Sequence, residues 1–167
     1  MPLTYQKIAA TTVGSGGAAN IEFTSIPATY TDLVVFFSVR NSAGGIDVNI
    51  QFNSSTSNLS SKYLYGNGSS VASGTGASSI EMVGMTKSTW TANTFGNVQV
   101  YIPNYASSNF KPVSVDSVNE QNATEAWEVI TTGLWSNTSA ITSLKLLPGT
   151  GNFVQYSTAT LYGIKKD

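Results

Sequence analysis

The stretch GIDVNIQFN, residues 45–53, decides the fold. Ile46, Val48, Ile50 and Phe52 alternate with Asp47, Asn49, Gln51 and Asn53. A period of two puts the apolar side chains on one face and the polar ones on the other, as in a half-buried strand. NVQVYIP, residues 97–103, repeats the pattern, with Val98, Val100 and Ile102 on the dry side and Gln99 and Tyr101 on the wet side. Pro103 ends it, because proline has no N–H to give to a ladder.

Working outward, YQKIAATTV, NIEFTSI, LVVFFSVR, KYLY, SIEMVGM, PVSVDSV, WEVITTGLW, ITSLKLL and FVQYSTATLYGI are further strand candidates. Breaks such as GSGGAAN, NSAGG, YGNGSS, PNYASSNF and LPGTGN separate them, and Gly, Asn, Ser and Pro are the residues that tight turns require. No segment holds a helical period; at most a short helical turn fits near 28–32 or 123–127. About ten short strands between such turns predict an all-β chain, an antiparallel, jelly-roll-like β-sandwich forming a single domain over residues 1–167. A short N-terminal arm is expected at 1–4. Residues 66–79, GNGSSVASGTGASS, are almost entirely Gly, Ser, Ala and Thr. They predict a flexible surface loop, or an arm that orders only against a partner. The ending STATLYGIKKD, residues 157–167, carries apolar residues on both parities. It predicts a full strand paired inside a sheet, with Lys165, Lys166 and Asp167 as a charged end.

LVVFFSVR, residues 33–40, breaks the alternation. Leu33, Val35, Phe37 and Val39 fill one face, yet Val34 and Phe36 stand on the other. A strand apolar on both faces needs cover on both. The second cover is expected from a loop or from another subunit.

Composition narrows the function classes. Charged residues make up 10% of the chain and the net charge is −1, with eight basic residues scattered along it. A nucleic-acid partner would need a basic stripe, which the sequence lacks. No run approaches the roughly 20 apolar residues of a membrane helix. The N-terminus has no secretory-type apolar region, so synthesis and folding are expected in a cytoplasm. Neither cysteine nor histidine occurs. That removes the Ser-His-Asp triad, the Cys-His pair and the ordinary zinc sites. Four carboxylates cluster in DSVNEQNATEAWE: Asp116, Glu120, Glu125 and Glu128. A glycosidase pair or a loop calcium site is conceivable there, but the expected reading is solvated charge. No catalytic residue, cofactor or metal site is therefore expected. Trp90, Trp127 and Trp135 suit packing or, as flat rings, stacking on sugars. Five N-x-[ST] sequons are no excess worth explaining beside the roughly 3.6 that 14 Asn and 43 Ser and Thr in 167 residues give by chance.

The phrases YQKIAATTVGS, FTSIPATYTDLVV, LYGNGSS, ANTFGNVQVYIPNYA, GLWSNTSAITSLKL and GNFVQYSTATLYGIKK form one plan running from Tyr5 to Lys166. It resembles a group of small tailed-bacteriophage virion structural proteins, common in aquatic phages. The resemblance implies a non-enzymatic β-sandwich, with no catalytic motif to carry over. The expectation is a capsid decoration, or cement, protein of the virion. It would be made in the host cytoplasm, bind the major capsid protein at the capsid surface, and assemble with itself as a symmetric oligomer, a trimer. The alternative is a tail-fibre or receptor-binding tip contacting host glycans. Val34, Phe36, Trp90, Tyr101 and Trp127 are the candidate interface anchors, because aromatics dominate binding hot spots.

Overall fold

The structure, a computed structural model, describes residues 4–76 and 78–165. Twelve strands follow one another: β1 (Tyr5–Thr12), β2 (Ile21–Phe23), β3 (Asp32–Val39), β4 (Asp47–Phe52), β5 (Leu59–Gly66), β6 (Val71–Gly76), β7 (Ile80–Val83), β8 (Gly96–Ile102), β9 (Lys111–Glu120), β10 (Ala126–Trp135), β11 (Leu144–Pro148) and β12 (Thr158–Ile164). No helix occurs among the described residues; 28–32 and 123–127 hold turns, bends and strand ends, not the helical turn for which the sequence left room.

The strands form two sheets, eight in the order β1-β12-β3-β8-β9-β10-β5-β6 and four in the order β2-β11-β4-β7. Every ladder between them is antiparallel. The protein is an all-β antiparallel sandwich. The period-two strands explain the layering. β4 turns Val48, Ile50 and Phe52 inward, β8 does so with Val98, Val100 and Ile102, and all six are fully buried. From the large sheet they meet Leu33, Val35, Phe37 and Leu161, and from the small sheet Ile21, Leu144 and Leu146. β12 is paired on both sides, to β1 and to β3, so the terminal stretch is an interior strand as its sequence requires. Of the expected arm at 1–4, only Thr4 lies within the described residues; its carbonyl accepts a hydrogen bond from the Lys165 N–H.

One expectation is corrected. The stretch 66–79 is not one long loop. Asn67–Ser70 make a tight turn, where Asn67 Oδ1 accepts from the Ser69 and Ser70 N–H groups. Val71–Gly76 then form β6, paired with β5 and standing at the edge of the large sheet. The strand needs no large side chains of its own because β5 supplies them. A Cβ added to Gly74 would stand 2.3 Å from the Tyr63 ring, so Tyr63 occupies the space over the glycine backbone. On the other face of β3, Val34 is already buried within the single chain. Its direct cross-strand neighbours are Tyr101 on β8 and Tyr162 on β12, which share its face. Large side chains at such positions reach across the ladder, and these shield the valine.

Candidate interaction surface

Among the described residues no three acidic side chains gather as a metal site. Glu125 pairs with Lys87 at 3.2 Å. Asp116, Glu120 and Glu128 are exposed on the outer face of the large sheet. On the small sheet, burial and then the nearby Glu81 charge push the Asp47 carboxyl up from its ordinary range.

Two buried cations also serve the frame. The Arg40 guanidinium donates to the carbonyls of Ser88, Trp90, Thr91 and Thr94, at 2.9–3.2 Å. It thereby clamps the segment between β7 and β8. Lys111 Nζ donates to the carbonyls of Ser107, Asn109 and Asn137. Burial lowers the pKa of each of these two cations. All of these acceptors belong to backbone except one Thr94 hydroxyl on Arg40, so neither cation is set out for a substrate.

The outward face of the large sheet carries most of the exposed large apolar side chains among the described residues, with Phe110 and Tyr156 standing in loops. At the β1-β12-β3-β8 end, Phe36 packs edge-on against Tyr162 at 5.9 Å, and Tyr162 against Tyr5 at 6.2 Å. Tyr101 completes the group, its hydroxyl donating to Asp32 Oδ2 at 2.9 Å. Asp32 is itself held by the Asn104 N–H at 2.8 Å, which fixes the phenol in place. Burial, and then the bond to Asp32, push the Tyr101 phenol up. At the far end of the same face stand four aliphatic side chains: Leu64, Val71, Val118 and Ile130, exposed to 53%, 75%, 41% and 60%. Contiguous exposed aliphatics of this kind mark contact surfaces more often than scattered single ones do.

Of the five candidate anchors, the structure brings three together. Phe36 and Tyr101 flank Val34 on the aromatic patch, with Val34 beneath rather than at the surface. Trp90 is buried: its carbonyl binds Arg40 and Lys87 Nζ lies 5.0 Å from its ring centroid. It packs the frame and offers no ring to a partner. Trp127 sits on the opposite, inward face, its ring tilted at 45° against Tyr65 at 4.9 Å, which in turn lies 6.3 Å from Tyr63. Sequence reasoning missed Tyr5, Tyr162 and all four aliphatics. The signal was present: Leu64, Val118 and Ile130 are apolar residues on the wet parity of their strands. Compared with known proteins, the chain matches no family model, no curated protein and no solved structure.

Proposed function

We propose that this chain is a non-enzymatic structural protein of a phage virion, a decoration protein that binds the capsid surface as a symmetric oligomer and stabilises it. The observation that carries the reading is the outer face of the large sheet, whose aromatic and aliphatic patches stand at opposite ends with a polar middle of Asn97, Gln99, Ser114 and Asp116. A protein with two separate apolar patches on one face can hold a neighbouring copy with one and a different surface with the other. The family resemblance of the sequence supports the same reading. So does the strand order. With β5, β6, β9 and β10 set aside, the remaining strands pair β1 with β12, β2 with β11, β3 with β8 and β4 with β7. We read this as one long hairpin wound over itself, the double Greek key of a jelly roll. Viral capsid proteins share that architecture with lectins and cupins. The likeness is one of fold and not of site.

The aromatic patch is the proposed seat on the major capsid protein. Immunogold labelling of intact virions of the encoding phage tests this. Label over the head is expected. Label confined to the tail would replace the decoration role by the receptor-binding tip, and particles without label would overturn the virion reading altogether. One observation favours the tip as a second reading: the row Tyr63, Tyr65 and Trp127, a set of half-buried rings of the kind that stack on sugars. Quenching or blue shift of tryptophan emission by a glycan, lost in Trp127→Ala, would support it; an unchanged spectrum across a broad glycan panel would remove it.

A further inference from the structure

The aliphatic patch has an internal symmetry that the ladder registers make visible. Three cross-strand rows run over β6, β5, β10 and β9 on the outer face. They are Thr75, Lys62, Thr132, Ser114; then Ser73, Leu64, Ile130, Asp116; then Val71, Gly66, Glu128, Val118. A two-fold axis laid parallel to the strands, midway between β5 and β10, exchanges β5 with β10 and β6 with β9 while keeping each row in place. A second copy facing the first across that axis therefore sets Leu64 against Ile130 and Val71 against Val118, each twice. It sets Asp116 against Ser73, Lys62 against Thr132 and Glu128 against Gly66. Every exposed aliphatic meets an aliphatic. No charge meets a like charge, and two of the three meet a hydroxyl. A surface that maps onto itself in this way is what an isologous contact requires.

We propose that the outer face of β9-β10-β5-β6 is the docking site for a second copy of this chain, about that two-fold axis. Sheets packed face to face lie about 10 Å apart, and a two-fold axis parallel to the strands keeps the facing strands aligned. The central Leu64–Ile130 row then bears the contact. Four strands about 4.8 Å apart and about seven residues long present roughly 450 Å² a side. The total of roughly 900 Å² falls below the 1,200 Å² or so of a standard interface. The pair is therefore weak in dilute solution and dominant only when many copies are held close together. The inference does not rest on the virion reading, since the pairing is a property of the free protein.

The test uses the absence of cysteine in the chain. In sedimentation velocity from micromolar to millimolar protein, the wild-type average mass is expected to climb towards twice the monomer. Ile130→Glu and Leu64→Asp should each hold it near the monomer with unchanged near-ultraviolet spectra, both positions being exposed. The double variant Ser73→Cys, Asp116→Cys should give a covalent dimer with a short bis-maleimide, and each single variant should give far less. A wild-type mass independent of concentration, a climb that Ile130→Glu leaves untouched, or single variants that crosslink as well as the double would each overturn the proposal.

Discussion

Lys111 shows how one residue can organise a corner of this protein. Its ammonium is buried with no carboxylate partner among the described residues, which on its own is a costly arrangement. Three backbone carbonyls offset that cost. Two come from the turn just before it, Ser107 and Asn109, and one from Asn137 beyond β10, so a single cation gathers two connections that share no ladder. Two opposing effects decide what its removal does. An apolar residue such as Met would no longer carry the desolvation cost of the charge, which lowers the lysine pKa. It would also strand the three carbonyls, and a buried polar group left unpaired costs about 1–3 kcal/mol. The carbonyls lie in connections that can turn only partly to water, because Tyr105 anchors the first of them through its hydroxyl on the Pro27 carbonyl. Lys111→Met is expected to lose about 1–3 kcal/mol, read as a lower urea midpoint at constant slope. A midpoint unchanged or raised would mean that desolvation dominates and that the carbonyls are not held by the lysine.

At the scale of elements, legibility follows side-chain size. β4 and β8 alternate large apolar with polar residues, and each lies where its pattern indicates. β6 was illegible because VASGTG has one branched apolar residue and two glycines. Its strand character comes from β5 and from the Tyr63 ring over Gly74, information spread over the hairpin and absent from the six residues. The aliphatic patch was illegible for a different reason: single apolar residues on a wet parity are common, and only the register of four strands shows that these four are neighbours. Close approach of elements is equally hidden. A Cβ on Gly96, the first residue of β8, would stand 1.7 Å from the Gly84 carbonyl oxygen, just after β7. The obstacle is backbone, so no rotamer change relieves it. Gly96→Ala should cost at least the 1–3 kcal/mol or so of ordinary overpacking. Gly14→Ala, where an added Cβ meets nothing within 4 Å, should stay within about 0.5 kcal/mol. Equal melting temperatures for the two variants would show that β7 and β8 can separate without penalty.

At the scale of the molecule, the chain is closed by its last strand. β12 lies between β1 and β3, so it joins the first strand to the centre of the large sheet. It also sends Ala159 and Leu161 into the core, while Tyr162 on the other face shields Val34 and packs on Phe36 and Tyr5. Ending the chain after Ser157 would therefore remove more than one ladder. β1 would lose its sole ladder, and β3, apolar on both faces, would become a bare edge of the kind that aggregates. Burial of a large aliphatic side chain contributes about 1.5–3 kcal/mol. The loss of Leu161, the uncovering of Val34 and the release of β1 together rival the 5–15 kcal/mol that holds a domain of this size folded. The truncated chain is expected to lose its near-ultraviolet signal and its cooperative melt, and to bind a hydrophobic dye. Retention of a cooperative melt with native-like aromatic spectra would show that the sandwich is held by its inner strands alone, and that the phrase TATLYGI is an addition to the fold and not its closure.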